Sequence, residues 1–285
     1  MRLRRGLHTT ELRTVHYVSG PLIFIDGAAG VHSAEVVDIV APDGEIRRGQ
    51  VLEIDRDRAV VEVYCGTRGL DVASTRVRLG GDAARTPVGD SLLGRMLDGA
   101  GQPIDGGPPV MAEAFWDING LPINPAARRY PSEYMETGIS AIDGLNTLLR
   151  GQKLPIFSGF GLPAGELAAE IAAEAKVPGG GDQPFVVVFA AMGITHREMS
   201  FFRRSLEDSG QLNRTVLFVN LADDPTIERL VTPRLALTAA EYLAFQRGYH
   251  VLVILTDMTN YCEALREVAT AREEVPGRRG YPGYM

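Results

Sequence analysis

The chain has 285 residues, 45% of them hydrophobic and 23% charged, which is usual for a globular protein of about two domains. Its formal net charge of -7 argues against a general affinity for nucleic acid or for an anionic lipid surface. The basic start, MRLRRGL, is not followed by the apolar run of a secretory signal, and no apolar run elsewhere is long enough to span a bilayer. We therefore expect a cytoplasmic protein that reaches a membrane only through its partners.

Residues 11–80 carry the pattern of short β-strands. Runs rich in β-branched and aromatic residues alternate with turn residues such as Gly20-Pro21. A spacing of about one turn every 8 to 12 residues, without a helical period, predicts a small antiparallel β-barrel. The composition then shifts toward glycine and proline. We therefore place a first domain at residues 1–80 and a second at residues 81–285.

The second domain begins with loops and continues as strands that alternate with helices. Residues 87–130 are rich in glycine and proline and contain apolar residues, such as Met96 and Leu97, that would pack on a core. Nearly unbroken apolar runs predict strands buried on both faces at 154–157, 185–190, 215–220 and 251–256. Helices are predicted at 164–176, 195–208, 225–230, 233–247 and Asn260–Glu274, the last with Asn260 as a candidate N-cap. The alternation predicts a parallel sheet joined by right-handed crossovers. Because a sheet of this kind normally has more strands, we expect the domain to be incomplete at its C-terminus.

Neither the cysteines nor the histidines have the spacing of a metal site. Cys65 and Cys262 are far apart and form no C-x-x-C pair, and the five histidines show no H-x-x-x-H spacing. We expect no disulfide framework and no metal ion held by protein ligands alone.

Residues 154–176 follow the outline of a phosphate-binding loop, in which a strand, a glycine-rich turn and a helix carry the pattern G-x-x-x-x-G-K-[ST]. Pro163 replaces the second glycine and has no N–H to give to a phosphate oxygen. Ala164 replaces the lysine, and Gly165 replaces the hydroxyl that would bind magnesium. Glu166 places a carboxylate in the first helical turn, where it suits the helix dipole and repels phosphate. The degenerate loop consists of Ser158, Gly159, Phe160, Gly161, Leu162, Pro163, Ala164 and Gly165.

This stretch allows two interpretations. It can be a nucleotide-binding fold whose own phosphate site is disabled, or an ordinary strand-to-helix turn, since glycine-rich turns are common. The residues of the loop alone do not decide between them.

Two further positions bear on catalysis. Asp257 ends an apolar strand, where nucleotidases place the carboxylate that supports magnesium, although an aspartate that caps a turn is an equal alternative. Ile194 follows Gly193 at the position where a related hydrolase holds the carboxylate that orients water, and isoleucine cannot accept a proton. The charged residues of the next helix are more simply interpreted as its solvated face: Arg197, Glu198, Arg203 and Arg204.

Nearly the whole chain resembles the non-catalytic B subunit, or V-type β chain, of V-type and archaeal-type rotary ATPases. The altered loop itself, SGFGLPAGELA, is similar to the version in that subunit and not to the catalytic one. Other matching runs include RTPVGDSLLGRMLDG, DINGLPINP, TGISAIDGLNTLLRGQKLPIFSG, VVFAAMGIT, NLADDPTIERLVTPRLALTAAEYLAF and AREEVPGRRGYPGYM.

The resemblance implies a β-barrel crown domain, a RecA-like (P-loop NTPase-like) domain and a helical C-terminal domain, of which the last is absent from this chain. In the family, B subunits alternate with catalytic A subunits in a hexameric head around a central shaft. The head is held by peripheral stalks and couples ATP synthesis or hydrolysis to proton or sodium transport. ATP or ADP would bind at most weakly, or at the interface with the A subunit. An arginine that B subunits lend to the catalytic site would lie beyond residue 285.

The resemblance also implies a segment that lines the central shaft. It comprises Pro276, Gly277, Arg278, Arg279, Gly280, Tyr281, Pro282, Gly283 and Tyr284.

Three hypotheses of different classes follow from the sequence. The first is a regulatory or structural ring subunit with a degenerate phosphate loop and no catalytic residue. The second is an active RecA-like ATPase, which would need the lysine and the carboxylate that Ala164 and Ile194 replace. The third is a free-standing fragment that acts only as a binding module.

Overall fold

The structure is a computed structural model that describes residues 10–28, 30–32, 35–64, 66–120, 124–159, 161–179, 184–272 and 274–285. The basic start of the chain, Cys65 and Phe160 lie outside these ranges. The chain divides into two compact units. The first is formed by Met1–Arg85, Asp223–Val231 and Thr259–Met285, and the second by Thr86–Ala222 and Thr232–Met258. The domain limits 1–80 and 81–285 stay a prediction.

The first unit contains an antiparallel sheet of seven strands. They are β1 (Thr10–Leu12), β2 (Val15–Ser19), β3 (Leu22–Asp26), β4 (Glu35–Val40), β5 (Ile46–Asp55), β6 (Arg58–Val63) and β7 (Arg76–Ala83). Their order in the sheet is β1-β7-β4-β5-β6-β3-β2. Buried and partly buried residues alternate along β4, which is typical of a strand with one face on the core. The predicted N-terminal antiparallel β domain is thus confirmed.

Helix α5 (Met258–Ala271) runs through the first unit and packs there on other segments of the same unit. Ala264 and Val268 share an apolar cluster with Ile227, Leu230 and the partly buried Tyr64. At the end of the helix, the Arg272 side chain lies 3.3 Å from the Glu53 carboxylate on β5. Apolar burial and one ion pair therefore fix the helix.

The second unit is built on a four-stranded parallel sheet in the order β15-β13-β14-β9. Its strands are β9 (Met96–Asp98), β13 (Phe185–Ile194), β14 (Thr215–Leu221) and β15 (His250–Thr256). The central strand β13 is buried over almost its whole length, as expected of a strand covered on both faces. The parallel sheet confirms the predicted fold class, and the strands predicted at 185–190, 215–220 and 251–256 are present.

The helices of the second unit are α1 (Ser140–Leu145), α2 (Ala164–Glu174), α3 (His196–Asp208) and most of α4 (Thr226–Phe245). Two short two-stranded sheets accompany them, formed by β8 (Arg85–Val88) with β10 (Ala114–Asp117) and by β11 (Tyr134–Met135) with β12 (Leu148–Leu149). Within the described residues, no helix combines the length and the apolar character needed to cross a membrane.

The predicted strand at 154–157 is wrong, because residues 152–159 form neither helix nor strand. Pro155 explains the failure, since proline has no N–H to donate to a neighbouring strand. Leu154 nevertheless packs in an apolar cluster with Leu252 and Ile254 of β15. Leu154 alone of this run therefore packs against the edge strand, whereas Ile156 and Phe157 are exposed.

Three further predictions needed correction. Met96 and Leu97, predicted within a loop, form the short strand β9 at the edge of the sheet. The helices predicted at 225–230 and 233–247 are one helix, α4, with Pro233 inside it. Burial of its neighbours Val231, Leu235 and Ala236 offsets the hydrogen bond that proline removes.

The helix predicted at Asn260–Glu274 begins two residues earlier, at Met258, and ends at Ala271. Asn260 therefore lies within the first turn and is not the N-cap.

Candidate functional site

The carboxyl ends of the parallel strands form the edge of the sheet where ligands of such folds usually bind. Thr256 at the end of β15 is in register with Ala191 of β13, and Leu221 of β14 is in register with Ile194. Gly165 in the first turn of α2 faces Phe202 in the second turn of α3, with an ideal Cβ at position 165 lying 3.6 Å from the Phe202 ring. The first turn of α2 thus lies beside the second turn of α3.

The degenerate loop is an exposed turn that leads into α2. Ser158, Gly159, Gly161, Leu162 and Pro163 are all exposed, and Gly161 adopts the left-handed φ of 82°. Backbone bonds close the turn, from the Leu162 N–H to the Gly159 carbonyl at 3.3 Å and from the Ala164 N–H to the Leu162 carbonyl at 2.8 Å. Of the predicted loop residues, Phe160 lies outside the described part of the chain.

The groups present at the start of α2 do not fit the phosphates of a nucleoside triphosphate. The N-cap is Pro163, and within the described part of the chain no side chain caps the helix there. Ala164 and Gly165 offer neither a cation nor a hydroxyl at the positions where a phosphate loop has both. Glu166 is exposed in the first turn, where its charge interacts favourably with the helix dipole. The N-terminus of α2 therefore carries the Glu166 carboxylate and lacks the groups that would bind a phosphate.

Helix α2 is held firmly at its opposite end. The Arg214 guanidinium, just before β14, donates to the carbonyl oxygens of Ala173 at 3.0 Å and Ala175 at 3.3 Å. It also lies 5.0 Å from the centre of the Phe185 ring, and burial lowers the pKa of Arg214. A cation that donates to the last carbonyls of a helix stabilises its C-terminus.

Asp257 follows β15 directly and adopts the left-handed φ of 60°. Its side chain reaches solvent, yet the surrounding protein removes part of its hydration, which raises the pKa of Asp257, and the nearby Glu198 carboxylate raises this pKa further. The Asp257 and Glu198 carboxylates therefore lie close enough at the carboxyl edge of the sheet to repel each other electrostatically. The interpretation of Asp257 as a magnesium-supporting residue stays a prediction, as does the alternative of a turn cap.

Glu198 has a structural role that the sequence analysis missed. Its carboxylate accepts from the Thr195 N–H at 2.7 Å and the Thr195 hydroxyl at 2.8 Å, and the Glu198 N–H donates to the same hydroxyl at 3.3 Å. Thr195 and Glu198 thus form a capping box at the start of α3. The spacing T-x-x-E at 195–198 was the signal that could have identified it.

Ile194 is 1% exposed and packs in the apolar core of the second unit. The N–H of the preceding Gly193 donates to the Asn220 side-chain oxygen at 3.1 Å. Arg197, Glu198, Arg203 and Arg204 are exposed, and Arg203 pairs with Glu207 one turn later at 2.8 Å. The side chain at the predicted base position is therefore core packing, and the charged residues of α3 lie on its solvated face.

The predicted shaft-facing segment is a compact loop of the first unit. The Gly277 N–H donates to the Tyr281 carbonyl at 2.8 Å, and an isolated bridge pairs Pro276 with Pro282. Pro282 is buried and Tyr281 is partly buried, whereas the other residues are exposed: Pro276, Gly277, Arg278, Arg279, Gly280, Gly283 and Tyr284. The loop therefore closes on itself and presents two arginines to solvent.

Side chains of α5 hold this loop. The Tyr281 hydroxyl donates to the Glu263 carboxylate, which also pairs with the Arg266 guanidinium. Arg266 in turn lies 5.2 Å from the centre of the Tyr281 ring. The hydrogen bond to Glu263 raises the pKa of Tyr281. Nothing in the sequence spacing identified this set of contacts, because Tyr281 lies in a different element from Glu263 and Arg266.

No group of three or more histidine, cysteine, aspartate or glutamate side chains is arranged for a metal ion among the described residues. Among the described residues at the start of α2, Ala164 and Gly165 stand where a phosphate loop has the lysine and the hydroxyl that phosphoryl transfer uses.

Comparison with known families gives two matches. The model of the ATP synthase alpha/beta family, nucleotide-binding domain, matches residues 138–285, just over half of the chain. The model of the ATP synthase alpha/beta family, beta-barrel domain, matches residues 15–81. The barrel match covers β2 to β6 and most of β7, and the nucleotide-binding match covers β13, β14 and β15.

Proposed function

Because the chain belongs to the ATP synthase alpha/beta family, whose members are subunits of rotary ATPases, we propose that it is a non-catalytic, B-type subunit. The family includes both catalytic and non-catalytic subunits, so the proposal depends on the site residues. The observation that carries it is the start of α2, where Pro163, Ala164 and Gly165 replace the phosphate-binding groups.

The core of the second unit supports the same proposal. Ile194 is buried among apolar side chains at the position of the predicted catalytic base. Replacing it with a carboxylate would bury a charge without a partner, which costs several kcal/mol. The fold is therefore adapted to an apolar residue there, and the absence of a base is not a defect that one substitution repairs.

The proposed subunit alternates with catalytic A subunits in the head of the complex and contacts central-shaft and peripheral-stalk subunits. ATP or ADP binds weakly, or at the interface with an A subunit. The subunit is cytoplasmic and reaches the membrane only through the complex. The loop Pro276–Tyr284 faces the shaft and contacts it through the exposed Arg278 and Arg279.

Magnesium-dependent ATP hydrolysis by the purified chain tests the assignment as non-catalytic. We expect no phosphate release above the buffer blank, both for the chain as it stands and for the variant Pro163→Gly, Ala164→Lys, Gly165→Thr, because Ile194 remains. A rate clearly above the blank that is abolished by Asp257→Ala would overturn the proposal.

Co-elution with a catalytic A subunit in size-exclusion chromatography tests the assignment as a ring subunit. We expect a mixed complex whose elution differs from that of either chain alone. Separate elution of the two chains at micromolar concentration would contradict a ring subunit and favour the alternative of a free-standing binding module.

A further inference from the structure

The loop Pro276–Tyr284 has the features of a contact surface that is set before a partner arrives. Arg278 and Arg279 are exposed neighbours, and among the described residues neither guanidinium has a carboxylate partner. Arg279 adopts the left-handed φ of 57°, a conformation that arginine rarely takes without support from its surroundings. A flexible tail would not maintain that conformation.

The support comes from one turn of α5. Glu263 and Arg266 are three residues apart and therefore lie on the same face of the helix. The Glu263 carboxylate accepts from the Tyr281 hydroxyl and pairs with Arg266, while Arg266 covers the Tyr281 ring. Each of the three side chains thus contacts the other two. We name them the tyrosine clamp: Glu263, Arg266 and Tyr281.

Helix α5 gives the tyrosine clamp a fixed base. Val268 and Ala264 pack in an apolar cluster of the first unit, and Arg272 pairs with Glu53 on β5. Within the loop, Gly277 approaches the Tyr281 carbonyl so closely that a Cβ at position 277 would lie 2.9 Å from it. The loop is therefore tied both to α5 and to itself.

We propose that Glu263 and Arg266 are positioning residues, which hold the loop 276–284 in one conformation through Tyr281 and so present Arg278 and Arg279 as a preset pair of cations. The inference rests on the proposed function only for the use of the loop as a contact with a partner. The loop adopts its preset conformation in the isolated chain, without any partner.

Trypsin tests this directly, because it cleaves after Arg278 or Arg279 when the loop opens. When opening is fast relative to cleavage, the cleavage rate follows the open population. We expect the intact chain to be cleaved here at least tenfold more slowly than a free peptide of residues 274–285. Glu263→Gln and Tyr281→Phe should each increase the rate about tenfold, which corresponds to about 1.4 kcal/mol.

Matched variants separate positioning from general destabilisation. Arg266→Lys keeps a cation near the ring and should retain most of the protection, whereas Arg266→Met should lose it at the same melting temperature. Tyr130→Phe makes the same chemical change at a side chain that is 98% exposed and should have no effect.

Equal cleavage of the intact chain and Glu263→Gln, or cleavage of the intact chain as fast as the peptide, would overturn the proposal. So would a loss of protection that appears only together with a lower melting temperature. No partner or nucleotide enters the experiment, so its failure would leave the proposed function untouched, and failure of the A-subunit test would leave the tyrosine clamp untouched.

Discussion

The degenerate loop at 158–165 and the loop at 276–284, both rich in glycine, are ordered in different ways. In the degenerate loop at 158–165, no described side chain makes a hydrogen bond, and backbone bonds close the turn. In the loop at 276–284, Tyr281 is held by Glu263 and Arg266, and Pro282 is buried. Phosphate loops are organised around the anion that they bind. The first loop lacks the groups for that anion, and its described side chains make no hydrogen bond, whereas the second is organised by side chains of its own unit.

Because the loop at 158–165 has no side-chain hydrogen bonds among its described residues, contacts elsewhere must fix helix α2, which follows it. Gly138 has φ of 80°, and a Cβ there would lie 2.6 Å from the Glu174 Cβ in the last turn of α2. We expect Gly138→Ala to cost about 3 kcal/mol, from the left-handed backbone and the overpacking together. Gly151→Ala is the matched control, because Gly151 has φ of 82° with nothing within 4 Å, and should cost only about 1 kcal/mol.

Urea unfolding of the two variants measures the difference. If Gly138→Ala and Gly151→Ala lower the free energy of unfolding equally, the close approach of Gly138 to Glu174 of α2 does not contribute to stability. The hydrogen bonds from Arg214 to the last carbonyls of α2 would then be its main anchor.

The second prediction tests whether the loop at 276–284 is closely packed. Gly277→Ala would place a methyl group 2.9 Å from the Tyr281 carbonyl and weaken the hydrogen bond between these residues. We expect a local cost of about 1 kcal/mol, seen as faster hydrogen exchange of residues 277–285. Gly283→Ala has nothing within 4 Å of its Cβ and should leave the exchange unchanged. Faster exchange in both variants alike would indicate a loosely held loop and remove the contrast between the two loops.

The third and smallest effect concerns the charge at the carboxyl edge of the sheet. The folded protein raises the pKa of Asp257, through desolvation first and Glu198 second. The protonated form is therefore favoured by folding, and its contribution is present below the ordinary pKa of 3.8 and is lost as the pH rises through the raised value. Asp257→Asn should consequently stabilise the protein at pH 7 and have no such effect below pH 3.8. Because Asp257 is exposed, solvent screens the repulsion, and we expect a gain of no more than about 0.5 kcal/mol.

Asparagine suits this test because it tolerates the left-handed conformation of position 257 as well as aspartate does. Thermal unfolding at neutral and at acid pH gives the comparison, with Asp57→Asn, at an exposed position of the turn between β5 and β6, as the control. A gain that persists unchanged at acid pH would mean that the carboxylate charge is not its cause.

The sequence predicted the parts of the fold that depend on burial. The apolar runs at 185–190, 215–220 and 251–256 became strands because a strand covered on both faces needs apolar residues throughout. The same rule failed at 154–157, where Pro155 removes a donor and only Leu154 packs on the core, while Ile156 and Phe157 are exposed. It also missed β9, because a three-residue strand in a glycine-rich stretch has no period to detect.

Features of the site that depend on a missing chemical group could be predicted from the sequence, whereas features that depend on contacts between distant residues could not. The absence of lysine, hydroxyl and carboxylate is visible from Ala164, Gly165 and Ile194 alone. The proximity of Glu198 to Asp257 depends on how two strands end side by side. The tyrosine clamp likewise depends on a loop that returns to α5. The spacing of residues along the chain predicts neither the proximity of Glu198 to Asp257 nor the tyrosine clamp.

We propose that this chain keeps a nucleotide-binding fold but does not hold a phosphate at the start of α2. Isothermal titration of the purified chain with magnesium-ATP measures this binding. We predict a dissociation constant of about 1 mM or weaker, equivalent to a binding free energy no more favourable than about -4 kcal/mol. A micromolar constant that is lost when Gly159 and Gly161 are both replaced by alanine would contradict the account.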